Sequence, residues 1–239
     1  MRSLLLPFVI FFFLSCSPLR MYQQNPDVLA WEDDIRKFEH LDSTETYPGN
    51  AILFAGSSSI RLWATLAQDM APYPVIQRGY GGAKLGDLAV YARRIFYPHR
   101  CRAIVLFIAN DITGNVDDKS PREVDRLFRV VLNTIRDKFP DTPVFWVAIT
   151  PTALRWEVWP HIDKANRLIE ESCLKNDNTY FIRTDFAFLN GSSLPREDLF
   201  LPDRLHLNAK GYEVWTEIIK KELDKVLNKQ QAAAAATGS

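Results

Sequence analysis

The sequence predicts an α/β protein, a three-layer α/β/α sandwich around a central parallel sheet of about five strands. Two observations carry this. Short apolar runs alternate with segments of helical period along most of the chain, the pattern of repeated β-α-β units. Two of the runs, "AIVLFIA" (103–109) and "PVFWVAI" (143–149), are apolar throughout instead of alternating with polar residues. A strand needs that composition only when helices cover both of its faces.

The elements follow in order. Residues 17–45 form a helical extension: Val28, Leu29, Trp31, Ile35, Phe38 and Leu41 recur near a helical period, and Asp27 stands as a cap after Pro26. "YPGN" then interrupts the chain. Five strands are expected at "AILFAG" (51–56), "PVIQ" (74–77), 103–109, 143–149 and "TYFIRT" (179–184). Helices are expected at Ile60–Met70, Lys84–Ile95, Pro121–Lys138, Pro160–Leu174 and Asn208–Leu227. No internal repeat or linker divides this stretch, so 46–228 reads as one domain. The last stretch, 229–239, contains "QQAAAAATGS", has no amphipathic period and reads as a disordered tail or a scar of expression.

The chain has 239 residues, with 29 basic against 29 acidic side chains. That balance gives no electrostatic footprint for nucleic acid. At the N-terminus, Arg2 precedes an apolar run from Leu4 to Leu14, shorter than the roughly 20 residues a membrane span needs. Residues 1–16 therefore read as an export signal. The sequence "LSCS" resembles a bacterial lipoprotein signal, in which Cys16 becomes the lipidated N-terminus, so the expected location is the cell envelope, the periplasm or the exterior. Any membrane contact is expected through that anchor alone. Cys101 and Cys173 have no metal-ligand spacing, and their spacing leaves open whether they pair. No metal or organic cofactor is expected. Oligomeric state is not legible.

In an open parallel sheet, ligands gather where the chain leaves the carboxyl ends of the strands. After the first strand comes Gly56-Ser57-Ser58-Ser59, where a serine is either a nucleophile or a helix cap. After the second comes "RGYGGAKLGD" (78–87), glycine-rich enough to present bare backbone N–H groups, yet neither a Walker loop nor a dinucleotide fingerprint. After the third comes Asn110-Asp111, either an amide donor or ordinary turn chemistry. Near the end stands "LPDRLHLNAKGY" (201–212), with Asp203 and His206 three apart. That spacing lets a carboxylate orient one imidazole nitrogen while the other faces outward as a base. Of the four histidines, only His206 has such an acidic partner.

These four motifs, in this order over about residues 50–212, resemble the SGNH/GDSL hydrolase family. The resemblance implies a flavodoxin-like fold and a serine hydrolase acting on ester bonds without a cofactor. It puts Ser58 in the nucleophile's place, Asp203 and His206 in the rest of the triad, and Ser58, Gly82 and Asn110 in the oxyanion hole. Ser57 stands where the family usually has aspartate, Gln77 where asparagine is frequent, and Ile108 where glycine is usual.

The substrate class expected is a small-molecule or glycan ester with a short acyl group, O-acetyl on carbohydrate being the leading reading. Trp156 and Trp159, after the fourth strand, are candidates to stack on a sugar or to pack the following helix. The same machinery serves a lysophospholipase, a thioesterase or an acyltransferase. A surface glycan-binding module without catalysis is the reading from another class.

Overall fold

A computed structural model describes residues 19–237; the expected export segment 1–16, including Cys16, lies outside the described residues. Five strands, β1 (Ile52–Gly56), β2 (Val75–Gly79), β3 (Ala103–Phe107), β4 (Val144–Val147) and β5 (Thr179–Ile182), pair in parallel in the order β2-β1-β3-β4-β5. The longer helices are α1 (Glu32–Thr44), α3 (Leu85–Phe96), α4 (Pro121–Lys138), α5 (Trp159–Leu174) and α6 (Ala209–Thr237), with the single turn α2 (Ser58–Arg61) directly after β1. This is the flavodoxin-like order, whose direction of winding reverses between β1 and β3. The register levels the ends: Gly56 pairs with Gly79 on one side and Phe107 on the other. The crevice therefore opens just beyond Gly56.

Successive side chains of a strand point to opposite faces. Leu53, Ala55, Ile104, Leu106 and Trp146 pack with α3, α4 and α5; Ile52, Phe54, Val105, Phe107 and Phe145 pack with Trp215, Ile219 and Leu223 of α6. Both faces are dry, as the unbroken apolar runs require. At roughly 1.5–3 kcal/mol per buried large apolar side chain, these two layers are the main source of stability.

Several elements differ from expectation, each for a local reason. The expected helix 60–70 is broken into α2 and a turn at Leu66–Asp69. Between them the Gln77 amide donates to the carbonyls of Ile60 (2.6 Å) and Trp63 (3.1 Å), and the Trp63 indole donates to Asp69 (2.6 Å). Asp27 is not the first cap: Asn25 accepts from the Asp27 N–H at 2.9 Å, and α1 begins only at Glu32. The tail is not irregular, since α6 runs on to Thr237. Alanine has the highest helix propensity, and adding residues to an existing helix avoids the nucleation cost. Cys101 and Cys173 are both free thiols, and burial pushes each pKa up to about 12.

The N-terminal segment is integral to the sandwich. Val28 and Ile35 are buried in the same core as α3, and the Trp31 ring meets Tyr80 edge-on at 5.3 Å. It also covers β2, an edge strand. Arg78, in a strand expected to end at Gln77, is 2% exposed because α1 supplies what its charge needs. Its guanidinium pairs with Asp42, donates to the Tyr47 hydroxyl oxygen at 3.0 Å, and lies over the rings of Phe38 and Tyr47. His99, held below its ordinary pKa by burial, sits 3.4 Å from the same Asp42 carboxylate.

Removing one partner of a buried ion pair strands the other charge, at a cost of about 3–5 kcal/mol. Asp42→Ala is therefore expected to lower the unfolding free energy by about that amount in urea titrations, with Asp33→Ala on the exposed side of α1 within about 0.5 kcal/mol of the parent. Equal effects of the two substitutions would contradict the pairing.

Candidate active site

Gly56 ends β1 where only glycine fits, because a Cβ there would lie 2.0 Å from the Phe107 carbonyl oxygen. The Ser57 N–H then donates to that same carbonyl at 2.9 Å, bending the chain out of the sheet. Ser58 becomes the first residue of α2, where N–H groups have no intrahelical acceptor. Behind it, Gly79 allows β2 to approach α2: a Cβ there would meet the Arg61 nitrogen at 2.3 Å. The Tyr212 hydroxyl donates to the Ser59 carbonyl at 2.9 Å and ties the turn to α6.

The other half of the site precedes α6. Asn208 caps that helix, its side chain accepting from the Gly211 N–H at 3.1 Å and donating to the Asp198 and Phe200 carbonyls at 2.9 and 3.0 Å. Upstream, the Leu201 N–H donates to the His206 carbonyl at 2.7 Å, closing a tight loop in which Arg204 takes a φ of +60°. Inside that loop one Asp203 oxygen accepts the N–H groups of Leu205 and His206, both at 3.0 Å. The other lies 2.6 Å from His206 Nδ1, and His206 Nε2 lies 2.9 Å from Ser58 Oγ. A carboxylate only accepts, so Nδ1 carries the proton and Nε2 is left to accept from the serine hydroxyl. Burial raises the Asp203 pKa, but the hydrogen bonds from the His206 ring and the two N–H groups outweigh it, leaving the carboxyl below its ordinary value. Serine, imidazole and carboxylate thus stand in the order that activates a hydroxyl for attack.

The third loop brings in Asn110. Its Nδ2 donates to the Ala83 carbonyl at 3.1 Å, joining the β3 loop to the glycine-rich loop after β2. The adjacent Asp111 accepts from the Leu85 N–H at 2.9 Å and pairs with Lys119 at 3.0 Å. Gly82, next to Ala83, is exposed and is not among the residues lining the cavity at Ser58. That cavity measures about 20 Å³ and is bounded by Ser57, Ser58, Asn110, Thr150, Thr152 and His206, among others. Ile108, in the place of a glycine, is fully buried in the helical layer and leaves the cavity untouched.

Arg155 lines the same cavity, and the sequence analysis passed over it. It donates to the Ala109 carbonyl at 2.5 Å and to Asn110 Oδ1 at 2.8 Å. Trp156 and Trp159 stack on each other, centroids 6.1 Å apart and planes 11° apart, both half-buried. Trp156 faces a groove of about 610 Å³ shared with Arg196 and Arg204, whereas Trp159 packs on the helical core. Of the two, Trp156 lines the groove and Trp159 does not. Among the described residues no cluster of three or more His, Cys, Asp or Glu side chains is arranged to hold a metal ion.

The family model for the GDSL-like Lipase/Acylhydrolase family matches residues 42–214, most of the chain and every motif above. The chain belongs to this family. It is an ester-hydrolysing enzyme. No curated protein sequence matches it closely enough for comparison. Among solved structures, one from Streptococcus pneumonia, provisionally described as a platelet activating factor, superposes with a TM-score of 0.73 at 20% identity, covering 82% of this chain and 94% of that one. A GDSL-like lipase from Bacteroides thetaiotaomicron gives 0.66 at 15% identity over 80% and 98%. A carbohydrate esterase family 3 protein from Talaromyces cellulolyticus gives 0.60 at 15% identity over 75% and 99%. At these identities the likeness is one of fold.

This acylhydrolase holds its glycine-rich loop with buried acids. Asp87 accepts the Lys84 N–H at 2.8 Å, and burial raises its pKa to about 6. The folded state thus disfavours the charged form, and the penalty develops as pH rises from about 4, the unfolded value, to about 6. Asp87→Asn removes the charge and keeps an acceptor. Its unfolding free energy relative to the parent is expected to rise by on the order of 2–3 kcal/mol across that window and to stay level above it. A difference independent of pH would contradict the assignment.

Proposed function

We propose that the enzyme hydrolyses short-acyl esters, with O-acetyl groups on carbohydrate the leading substrate class, through an acyl-serine intermediate. The observation that carries this reading is the continuous chain of contacts from Asp203 through His206 to Ser58, at 2.6 and 2.9 Å.

In this mechanism His206 Nε2 takes the Ser58 proton as Oγ bonds to the ester carbonyl carbon. Asp203 holds the tautomer and stabilises the imidazolium that forms. The tetrahedral oxyanion is held by the backbone N–H of Ser58 and by the second Nδ2–H of Asn110, its first being engaged by Ala83; the Gly82 N–H, which the family resemblance also puts there, lies outside the cavity lining. The C–O bond to the alcohol then breaks, and His206 returns its proton to the departing oxygen. Water attacks the acyl-Ser58 carbonyl by the same route, releasing the carboxylic acid and restoring the serine.

Two features support the finer substrate choice. A cavity of about 20 Å³ beside Ser58 has room for one water-sized group, which suits a methyl better than a fatty chain. The groove of about 610 Å³ carries the Trp156 indole among polar and charged side chains, a lining suited to a sugar alcohol. Export, with lipidation at Cys16, belongs to the same reading and rests on residues 1–16 alone. Lysophospholipase or thioesterase action needs a longer acyl site. Acyl transfer needs an acceptor to replace water.

Hydrolysis of p-nitrophenyl acetate, butyrate and decanoate by purified enzyme tests the reading. Activity is expected to be highest on acetate and to fall by at least about 10³-fold in a folded Ser58→Ala variant. Asn110→Ala is expected to lower kcat about 10²–10³-fold with little change in KM. Full activity of Ser58→Ala overturns the mechanism; a preference for decanoate overturns the short-acyl assignment.

A further inference from the structure

We infer that Arg155 is a positioning residue of the oxyanion hole, holding the Asn110 amide so that Nδ2 and not Oδ1 faces the developing charge. The inference rests on the proposed role of Asn110 as a donor. A primary amide is nearly symmetric in shape, and a donor in that position becomes a repulsive acceptor if the group turns over. Something must specify its orientation.

Two contacts do so from opposite ends. A guanidinium has only donors, and Arg155 Nη2 stands 2.8 Å from Asn110 Oδ1. A carbonyl only accepts, and the Ala83 oxygen stands 3.1 Å from Asn110 Nδ2. Turning the amide would set NH₂ against guanidinium and oxygen against carbonyl, breaking both contacts at once. The second guanidinium nitrogen, on the Ala109 carbonyl at 2.5 Å, fixes Arg155 to the backbone of the same loop. Arg155 itself is braced from behind: the adjacent Leu154 N–H donates to the Arg204 carbonyl at 3.2 Å, within the Asp203–His206 loop.

The charge of Arg155 needs explaining on structural grounds alone. Among the described residues the hydrogen-bond partners of its guanidinium are a carbonyl and an amide oxygen, and burial depresses its pKa, with Asp118 acting only through space. Arg155 is half-buried, and a cation that gives up part of its hydration without a counterion costs stability. Here the positive charge acts through Oδ1, polarising the amide toward stronger donation from Nδ2.

The test is a double-mutant cycle on p-nitrophenyl acetate hydrolysis with Arg155→Met, Arg155→Lys, Asn110→Ala and the Arg155→Met/Asn110→Ala pair, folding being checked by circular dichroism. Arg155→Met is expected to lower kcat about 10–100-fold with KM within about threefold, and Arg155→Lys, which keeps the charge and one donor, to recover part of the loss. The pair is expected to be no slower than Asn110→Ala alone within about twofold, because Arg155 acts through Asn110. Losses that multiply, or kcat within twofold of the parent in Arg155→Met while Asn110→Ala is impaired, overturn the inference and leave the Asn110 reading standing. Unimpaired Asn110→Ala overturns that reading and this one with it. Should Arg155→Met fail to fold, the same cycle run with Arg155→Leu, which also lacks charge and donor, decides by the same criteria.

Discussion

The organisation of this molecule turns on one imidazole held between two partners that come from opposite ends of the domain. His206 meets Ser58 at 2.9 Å across a separation of 148 residues, while its other nitrogen is held by Asp203 only three residues away. The short-range half needs nothing but a tight loop. The long-range half needs the sheet to bring the end of β1 beside the start of α6. The level ends of β1 and β3, the glycine that lets the chain pass the Phe107 carbonyl, and the Tyr212 hydroxyl on the Ser59 carbonyl all serve that second contact.

The remaining loops are tied to one another by polar contacts as well as apolar packing. Asn110 links the β3 loop to Ala83, Asp111 and Asp87 hold the start of α3, Arg155 links the β4 loop to Asn110, and Leu154 links it to Arg204. This suits a catalytic rim, since hydrogen bonds specify direction where apolar contacts specify only proximity. The N-terminal segment completes the arrangement on the β2 side. Trp31 lies against Gly81 and Tyr80, and α1 neutralises Arg78 beneath them, so the glycine-rich loop rests on an element that lies outside most of the family match.

Much of this was legible in the sequence, and the boundary is physical. The doubly covered strands were readable because burial on both faces leaves uniformly apolar runs. The Asp203–His206 pair was readable because its spacing is local, whereas Ser58, equally a helix cap when taken alone, was readable only with the other three motifs beside it. Arg155 was not, since its partners lie about 45 residues upstream and a lone arginine before a tryptophan carries no periodic signal. Arg78 was hidden for a related reason: its charge argues against a strand until Asp42 and Tyr47 are seen beside it. The break after α2 depended on Gln77 capturing carbonyls from another element, and no local propensity encodes that. Of the two tryptophans, both equally plausible as ligand contacts in sequence, packing distinguishes one from the other.

The most direct measurement is the intact mass of the enzyme after reaction with a fluorophosphonate, followed by location of the adduct by peptide mapping. A serine activated by His206 predicts a single adduct, carried by Ser58, and a rate of labelling at least about 10²-fold lower in His206→Ala. Labelling at another residue, or at Ser58 with equal speed in the absence of His206, would contradict the triad.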